Sequence, residues 1–208
     1  TVIDHFRHGS VFMAGDAAHQ MPPFNGQGMC TGIRDVENLA WKLAAVWAGH
    51  AGDRLLDTYD TERRPHAAGQ VQHSADAGRL IDAIASGVHT DTDAGYGGGR
   101  PFPHLEGGVI DGDHPATGRQ LPQPDVDGVP LDAHLGPGWA LLSTTPLPSD
   151  QTAWWRTIGA VEVTVAGDLL PGIVEGSAVC VVRPDRYVAA VTADLEATTE
   201  RLAAHFSP

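Results

Sequence analysis

Cysteine is scarce in this chain: 208 residues hold two, Cys30 and Cys180, far apart and in unlike surroundings. With no CxxC and no Cys/His cluster at zinc spacing, the sequence excludes a disulfide scaffold, a zinc knuckle and a dithiol redox centre. A reducing cytoplasm is the compartment that this usage suggests. Positive charge is also short, with 13 Lys and Arg against 26 Asp and Glu and a formal net charge of −13. A surface so acidic repels phosphate backbones and anionic lipid, which argues against nucleic acid and membrane as partners. Long apolar runs are missing as well. The best, residues 39–48, is interrupted by Lys42 and is too short to span a bilayer. Eleven histidines are scattered without HExxH or any other ligand spacing, so no metal is implied. The opening residues lack the basic and apolar segments of a signal peptide, and the chain starts on Thr1 rather than Met, as an excised piece would.

What is present has the composition of a folded protein, 42% hydrophobic and 19% charged. Val11-Phe12-Met13-Ala14 reads as a buried strand stopped by a turn at Gly15-Asp16. A punctuated stretch follows, from Met21-Pro22-Pro23 to Gly26-Gln27-Gly28. Next, Ile33, Val36, Ala40, Leu43 and Trp47 fall at helical spacing and predict an amphipathic helix stopped at Gly49. Residues 55–64 predict a second short helix ended by Pro65. Residues 71–85 predict a third, with Leu80, Ile81 and Ile84 as its apolar face. Apolar content then collapses, and Gly95-Tyr96-Gly97-Gly98-Gly99 reads as a domain boundary, giving domains 1–92 and 97–208, with a long internal loop as the alternative. Beyond it, residues 139–143, 161–165, 179–182 and 187–191 read as strands. Arg183-Pro184-Asp185-Arg186 forms a hairpin turn between the last two, and residues 194–206 form a closing helix. The second half is therefore a modest α/β sandwich.

The chemistry-bearing residues lie in the first half. Asp16 stands at the carboxyl end of a strand, where open α/β sheets bind ligands, and an ionised carboxylate suits ligand hydroxyls. An equal alternative is that Asp16 caps the short turn at Ala17-Ala18. Gly26-Gln27-Gly28 opens the helix, allowing close backbone approach where unpaired N–H groups favour negative charge. This is not the dinucleotide fingerprint, and taken alone a glycine loop before a helix is more often only a helix start. Pro22-Pro23 stiffens the chain and removes two donors while leaving carbonyl oxygens to accept. His19 reads as a packing residue, Cys180 as a buried thiol, and Trp154-Trp155 as a core or interface anchor.

Together these positions are far more specific. Gly15-Asp16-Ala17-Ala18-His19, Pro22-Pro23, Gly26-Gln27-Gly28, Gly32, Asp35, Asn38-Leu39-Ala40-Trp41-Lys42-Leu43 and Glu62-Arg63-Arg64-Pro65 resemble, in order and spacing, the second FAD-binding segment of the flavin-dependent aromatic-ring monooxygenases. This is the family that includes para-hydroxybenzoate hydroxylase. The wording Gly26-Gln27-Gly28-Met29-Cys30 is similar to the 3-(3-hydroxyphenyl)propionate hydroxylase branch. The resemblance implies the C-terminal piece of a Rossmann-like FAD domain. In it, Asp16 accepts from the ribityl hydroxyls, and Pro22 and Pro23 form the wall between flavin and substrate. Gly26, Gln27, Gly28, Met29 and Cys30 present the helix start to the flavin N1–C2=O edge. Many relatives carry Asn where this chain has Cys30, so a side-chain hydrogen bond there is not implied, whereas the backbone contact is.

The family's GxGxxG unit is absent from these residues, so the resemblance implies a missing N-terminal half as partner. The isolated chain is then expected to bind FAD weakly and hydroxylate nothing. The expected activity of the parent is hydroxylation of a small aromatic, phenolic substrate with O₂ and with NADH or NADPH as reductant, and no side-chain nucleophile is required. In the second domain, Gly118-Arg119-Gln120-Leu121-Pro122, Leu131, residues 139–142 and residues 181–189 resemble the thioredoxin-like C-terminal domain of longer family members. Without CxxC its implied role is scaffolding or subunit contact, with a second copy of the chain as candidate partner. The competing reading is a non-catalytic thioredoxin-like interaction or dimerisation module with a helical leader.

Overall fold

The computed structural model describes residues 1–87 and 104–207, so the glycine-rich boundary expected at residues 95–99 lies outside the described residues. Contacts divide the chain into two units, Thr1–Asn38 with Tyr59–His104, and Leu39–Thr58 with Leu105–Pro208.

The first unit opens with two short antiparallel strands, β1 (Arg7–His8) and β2 (Val11–Phe12). The buried four-residue strand expected at residues 11–14 is thus a two-residue element, and Val11 is 58% exposed. Among the described residues β2 pairs only with β1, which leaves its other edge open. Gly15, at φ +56°, turns the chain out of the strand in a conformation that favours glycine. Two long helices follow, α1 (Gly28–Trp47) and α2 (Asp57–Ala85).

The polarity of α1 is the reverse of the expected one. The stripe chosen for burial faces outward, with Ile33 50%, Val36 56% and Trp47 94% exposed, while Thr31, Asp35, Asn38 and Lys42 are buried. Partners explain this inversion in the first unit. Asn38 Nδ2 donates to Glu62 Oε2 at 2.7 Å, and Arg63 Nε donates to Asp35 Oδ1 at 2.9 Å. Paired polar groups can be buried, whereas unpaired ones cannot.

Helix α2 also corrects the sequence reading, because one helix runs where Pro65 was expected to end one and another to begin. Tyr59, Glu62, Arg63, His66, Ala67, Gln70, Ser74 and Ala77 form a buried stripe that continues past the proline. Pro65 is exposed, so its ring and its missing amide fall on the solvent side of the helix, away from the buried stripe. Ile81 and Ile84, expected to be buried, are exposed. Helix and strands are tied by Tyr59, whose hydroxyl donates to Met13 O at 2.7 Å.

The second unit begins with a small hairpin, β3 (Asp125–Val126) and β4 (Val129–Pro130), and the short helix α3 (Asp132–Leu135). Its sheet comprises β5 (Ala140–Ser143), β6 (Val161–Thr164), β7 (Val179–Val182) and β8 (Val188–Thr192), in the order β6-β5-β7-β8. Strands β5 and β6 are parallel, joined through α4 (Ala153–Thr157); β7 is antiparallel to both β5 and β8. The four expected strands therefore form, as does the closing helix α5 (Leu195–Ala203), which Asp194 caps by accepting from Ala197 N.

Alternation along β5 and β7 separates two cores. Ala140, Leu142, Cys180 and Val182 pack with Leu131, Leu135 and Val174 on one face. Leu141, Val179 and Val181 pack with Trp139, Trp155, Leu202 and Phe206 on the other. Trp41 of α1 joins the aromatic side, edge-on to Trp139 with ring centroids 5.6 Å apart. Its indole N–H donates to Asp185 at 3.1 Å, inside the expected hairpin turn, where buried Arg183 pairs with Asp185 at 2.6 Å.

Three predictions follow from this packing. Burial pushes the Asp35 carboxyl upward, but the bond with His19, the Arg63 charge and the bonds from Arg63 and Gly15 outweigh it, holding it below its ordinary 3.8. Because the folded value is the lower one, this stabilisation is complete above about pH 4 and disappears as pH falls through the folded value. Urea unfolding between about pH 6 and about pH 2 should therefore show a shallower acid limb for Asp35→Asn than for wild type; identical limbs would contradict the pairing. Second, burial pushes the Cys180 thiol up to about 12, so at about pH 8 a thiol reagent should spare Cys180 until denaturant is added. Third, Gly118 has φ +75°, and a Cβ there would collide with the Leu105 carbonyl. Gly118→Ala should cost at least about 2 kcal/mol in thermal or chemical unfolding.

Candidate cofactor site

Asp16 lies inside a single 3₁₀ turn, Gly15–Ala17, whose N-cap is Ala14. It therefore does not cap the turn, and the alternative weighed for it is corrected. Its side chain is exposed and has no hydrogen-bond partner among the described residues. The turn itself is fixed: Gly15 O accepts from the amides of Ala18 and His19, both at 2.9 Å. Gly15 N donates to Asp35 Oδ2 at 3.1 Å, and the same oxygen meets His19 Nε2 at 2.6 Å. His19 is fully enclosed, stacked on Phe6 with centroids 6.0 Å apart.

Pro22 is extended, at φ −58° and ψ 151°, and Pro23 starts a 3₁₀ turn, Pro23–Asn25, closed by Gly26 at φ +60°. The proline carbonyls were expected to be free. Instead, Pro22 O accepts from Ser74 Oγ of α2 at 2.5 Å, and Pro23 O accepts from Gly26 N at 3.0 Å. Each carbonyl retains a second lone pair. The Pro22 bond fixes the wall to the helix.

Helix α1 begins at Gly28, and Thr31 N donates back to Gln27 O at 2.9 Å. By helix geometry the amides of Gly28, Met29 and Cys30 have no carbonyl one turn earlier to bond, and they carry the positive end of the dipole. Met29 is exposed and Cys30 half-buried. Two buried acceptors near this end have no partner, Gln27 Oε1 and Thr31 Oγ1. Buried polar atoms without partners are uncommon, and here they offer hydrogen bonds to an incoming polar group.

Strand end and helix start face a common groove of about 430 Å³, whose walls include Ala14, Gly15, Met29, Gly32, Ile33 and Val36. Asp16 borders it through Gly15 and is not itself a wall. Two of its walls meet closely at Gly32 and Gly15: a Cβ on Gly32 would sit 3.1 Å from Gly15 Cα. The close approach calls for glycine at position 32, whereas position 15 calls for it through its φ of +56°. The structure thus brings Gly15 and Met29 to one cavity, with Gln27 and Gly28 at the adjoining helix start. Pro22, Pro23 and Gly26 stand in the connecting segment.

Reading the sequence for chemistry missed the Asp35–His19–Arg63 cluster, which underlies this arrangement. Its signal was available: Thr31, Asp35, Asn38 and Lys42 recur at spacings of 4, 3 and 4 along α1, a polar stripe as regular as the apolar one.

The FAD binding domain family matches residues 1–74. The 3-(3-hydroxy-phenyl)propionate/3-hydroxycinnamic acid hydroxylase of Mycobacterium sp. (strain JLS) is 36% identical to the chain, in an alignment covering 88% of the chain and 42% of the relative. Its namesake from Burkholderia cenocepacia (strain HI2424) is 34% identical, with coverage of 92% and 45%. Among solved structures, the OxyS anhydrotetracycline hydroxylase from Streptomyces rimosus superposes with a TM-score of 0.72 at 29% identity, covering 99% of this chain and 46% of that one. The chain thus spans less than half the length of the relatives it matches. The resemblance to the hydroxyphenylpropionate hydroxylase branch, read from Gly26 to Cys30, is upheld by these relatives. The mixed α/β fold agrees with the flavoprotein structures. The first 74 residues match the FAD binding domain family, and over nearly its whole length the chain is similar in sequence and fold to proteins that are named as hydroxylases.

Proposed function

We propose that this chain supplies the flavin-facing half of an aromatic-ring hydroxylase that acts with a GxGxxG-bearing segment, FAD, O₂ and NADH or NADPH on a small phenolic substrate. The observation that carries the reading is the groove whose walls include Gly15 and Met29, which joins the strand end next to exposed Asp16 to the first turn of a helix. The residues suit FAD on three counts. Asp16 has free acceptor capacity for ribityl hydroxyls, Gln27 Oε1 is a buried acceptor without a donor, and the glycines keep the groove open. When bound, FAD supplies electron transfer from the nicotinamide and activation of O₂.

The remaining chemistry belongs to the protein. The amides of Gly28, Met29 and Cys30 stabilise negative charge at the flavin pyrimidine edge, worth about 0.3–1 kcal/mol and more once water is excluded. Pro22 and Pro23, fixed by Ser74, form a rigid wall against which an aromatic ring is held. The exposed apolar side chains Val11, Met29, Ile33 and Val36 support a further covering segment, since such surface is rarely left to water.

The second unit we read as thioredoxin-like. Support comes from a sheet of order β6-β5-β7-β8, a parallel β–α–β pair followed by a hairpin and a closing helix. Its one cysteine, Cys180, is buried and free, which favours scaffolding or subunit contact over thiol exchange.

Flavin titration tests the main reading. The chain alone should bind FAD weakly, and addition of the GxGxxG-bearing segment should restore one FAD per chain and substrate-stimulated NAD(P)H oxidation. In that holoenzyme, Asp16→Ala should weaken FAD binding about tenfold or more, measured by flavin fluorescence. An unchanged affinity would remove Asp16 from the site.

A further inference from the structure

The turn carrying Asp16 is held at both ends by one side chain that does not belong to it. Asp35 Oδ2 accepts from the Gly15 amide at 3.1 Å and meets His19 Nε2 at 2.6 Å, so residues 15 and 19 are bound to the same oxygen. Asp35 Oδ1 takes Arg63 Nε of α2 at 2.9 Å. All three side chains are buried, with Asp35 and Arg63 at zero exposure. Asp16 lies between the two tethered residues and has no hydrogen-bond partner among the described residues, so its placement follows from the turn.

Pairing for stability alone does not account for this cluster. Arg63 engages the carboxylate through Nε only, leaving Nη1 and Nη2 buried without partners, and His19 Nδ1 is likewise buried and unpaired. A guanidinium placed for greatest stabilisation would use its fork on both carboxylate oxygens. Here one oxygen is instead given over to Gly15 and His19. The neighbouring helix residue adds a steric limit, because Gly32 lets Gly15 approach α1 closely enough for the Asp35 contact.

We propose that Asp35 is a positioning residue for flavin binding: its buried carboxylate, anchored by Arg63, fixes Gly15 and His19 and thereby aims the Asp16 carboxylate at the FAD sugar-alcohol chain. This inference rests on the reading of Asp16 as an FAD ligand. It assigns Asp35 no contact with flavin or substrate.

The test uses the FAD holoenzyme, stripped of flavin and retitrated by fluorescence. Asparagine at position 35 offers one acceptor oxygen to three donors, so Asp35→Asn should raise the FAD dissociation constant about tenfold to a hundredfold. Asp35→Glu retains the charge and the Arg63 pair but displaces Gly15. It should raise the constant in the same direction while folding normally, which keeps the test open if the asparagine variant is too unstable. In an Asp16→Ala background the effect of both substitutions should vanish, because a turn without its carboxylate has nothing to aim. Leu142→Ala, in the core of the second unit, serves as the control that lowers stability without moving FAD affinity.

Three results would overturn the proposal. The first is an FAD affinity within about twofold of wild type for Asp35→Glu and any folded Asp35→Asn, while Asp16→Ala binds weakly. The second is an Asp35 effect that persists undiminished without the Asp16 carboxylate, and the third is an equal loss in Leu142→Ala. An Asp16→Ala enzyme with unchanged affinity would instead sink the Asp16 reading itself, and the inference with it.

Discussion

A carboxylate taken out of water costs several kcal/mol, and Asp35 meets that cost with donors from three separate parts of the chain. The Gly15 amide comes from the end of the strand segment, His19 from the turn that follows, and Arg63 from α2. None of these can move without leaving a buried charge partly unpaired. That constraint, more than hydrophobic burial, organises the first unit, whose enclosed apolar residues are few: Phe6, Ala18, Tyr59, Ala67 and Ala77. Depression of the Asp35 pKa despite full burial is the electrostatic expression of the same fact.

From that anchor the site acquires its character. The strand end must stop in a left-handed glycine, and α1 must present another glycine opposite it, because any Cβ there would press on the Gly15 backbone. The result is a groove with Gly15, next to exposed Asp16, on one side and the first turn of α1 at Met29 on the other. These are complementary tools for one ligand that carries hydroxyls at one end and developing negative charge at the other. Water excluded from such a groove would strengthen both contacts.

Much of the fold was legible in the sequence, and the second unit most of all. Its strands are short runs, apolar in β5 and valine-rich in the other three, bounded by turns, and tertiary packing agrees with that local preference, so all four strands, the hairpin and the closing helix fall where expected. In the first unit local and tertiary preferences conflict. Pro65 should end a helix, yet the buried stripe from Tyr59 to Ala77 carries α2 through it. Val11 to Ala14 reads as a buried strand, but burial of a strand depends on neighbours that lie elsewhere in a chain. Of the candidate site residues, the turn at Asp16 and the helix start at Gly28 were visible through glycine placement. The tether at Asp35 showed only as half of a pattern: the polar stripe along α1 marks Asp35 for burial, but its partners His19 and Arg63 lie in other segments and no spacing in α1 names them.

The inversion of α1 has a consequence for how the family's signature residues divide. Hydrophobic spacing assigns Ile33 and Val36 to a core and leaves Asp35 and Asn38 to solvent; in the structure the polar members are inside and the apolar members line or flank the groove. Asp35, Asn38, Glu62 and Arg63 therefore belong to an internal scaffold of paired polar groups, whereas Met29 lines the groove, Gly28 opens the helix and exposed Asp16 adjoins the Gly15 wall. A substitution in the first set acts through backbone placement and protein stability together. One in the second acts on the groove with little effect on folding, since the side chains there are exposed or absent. A helix with a charged inner face and an apolar outer one is stable only if both are matched. In the first unit the inner match comes from α2, and the outer apolar face is suited to a ring system or a further segment of protein laid against it.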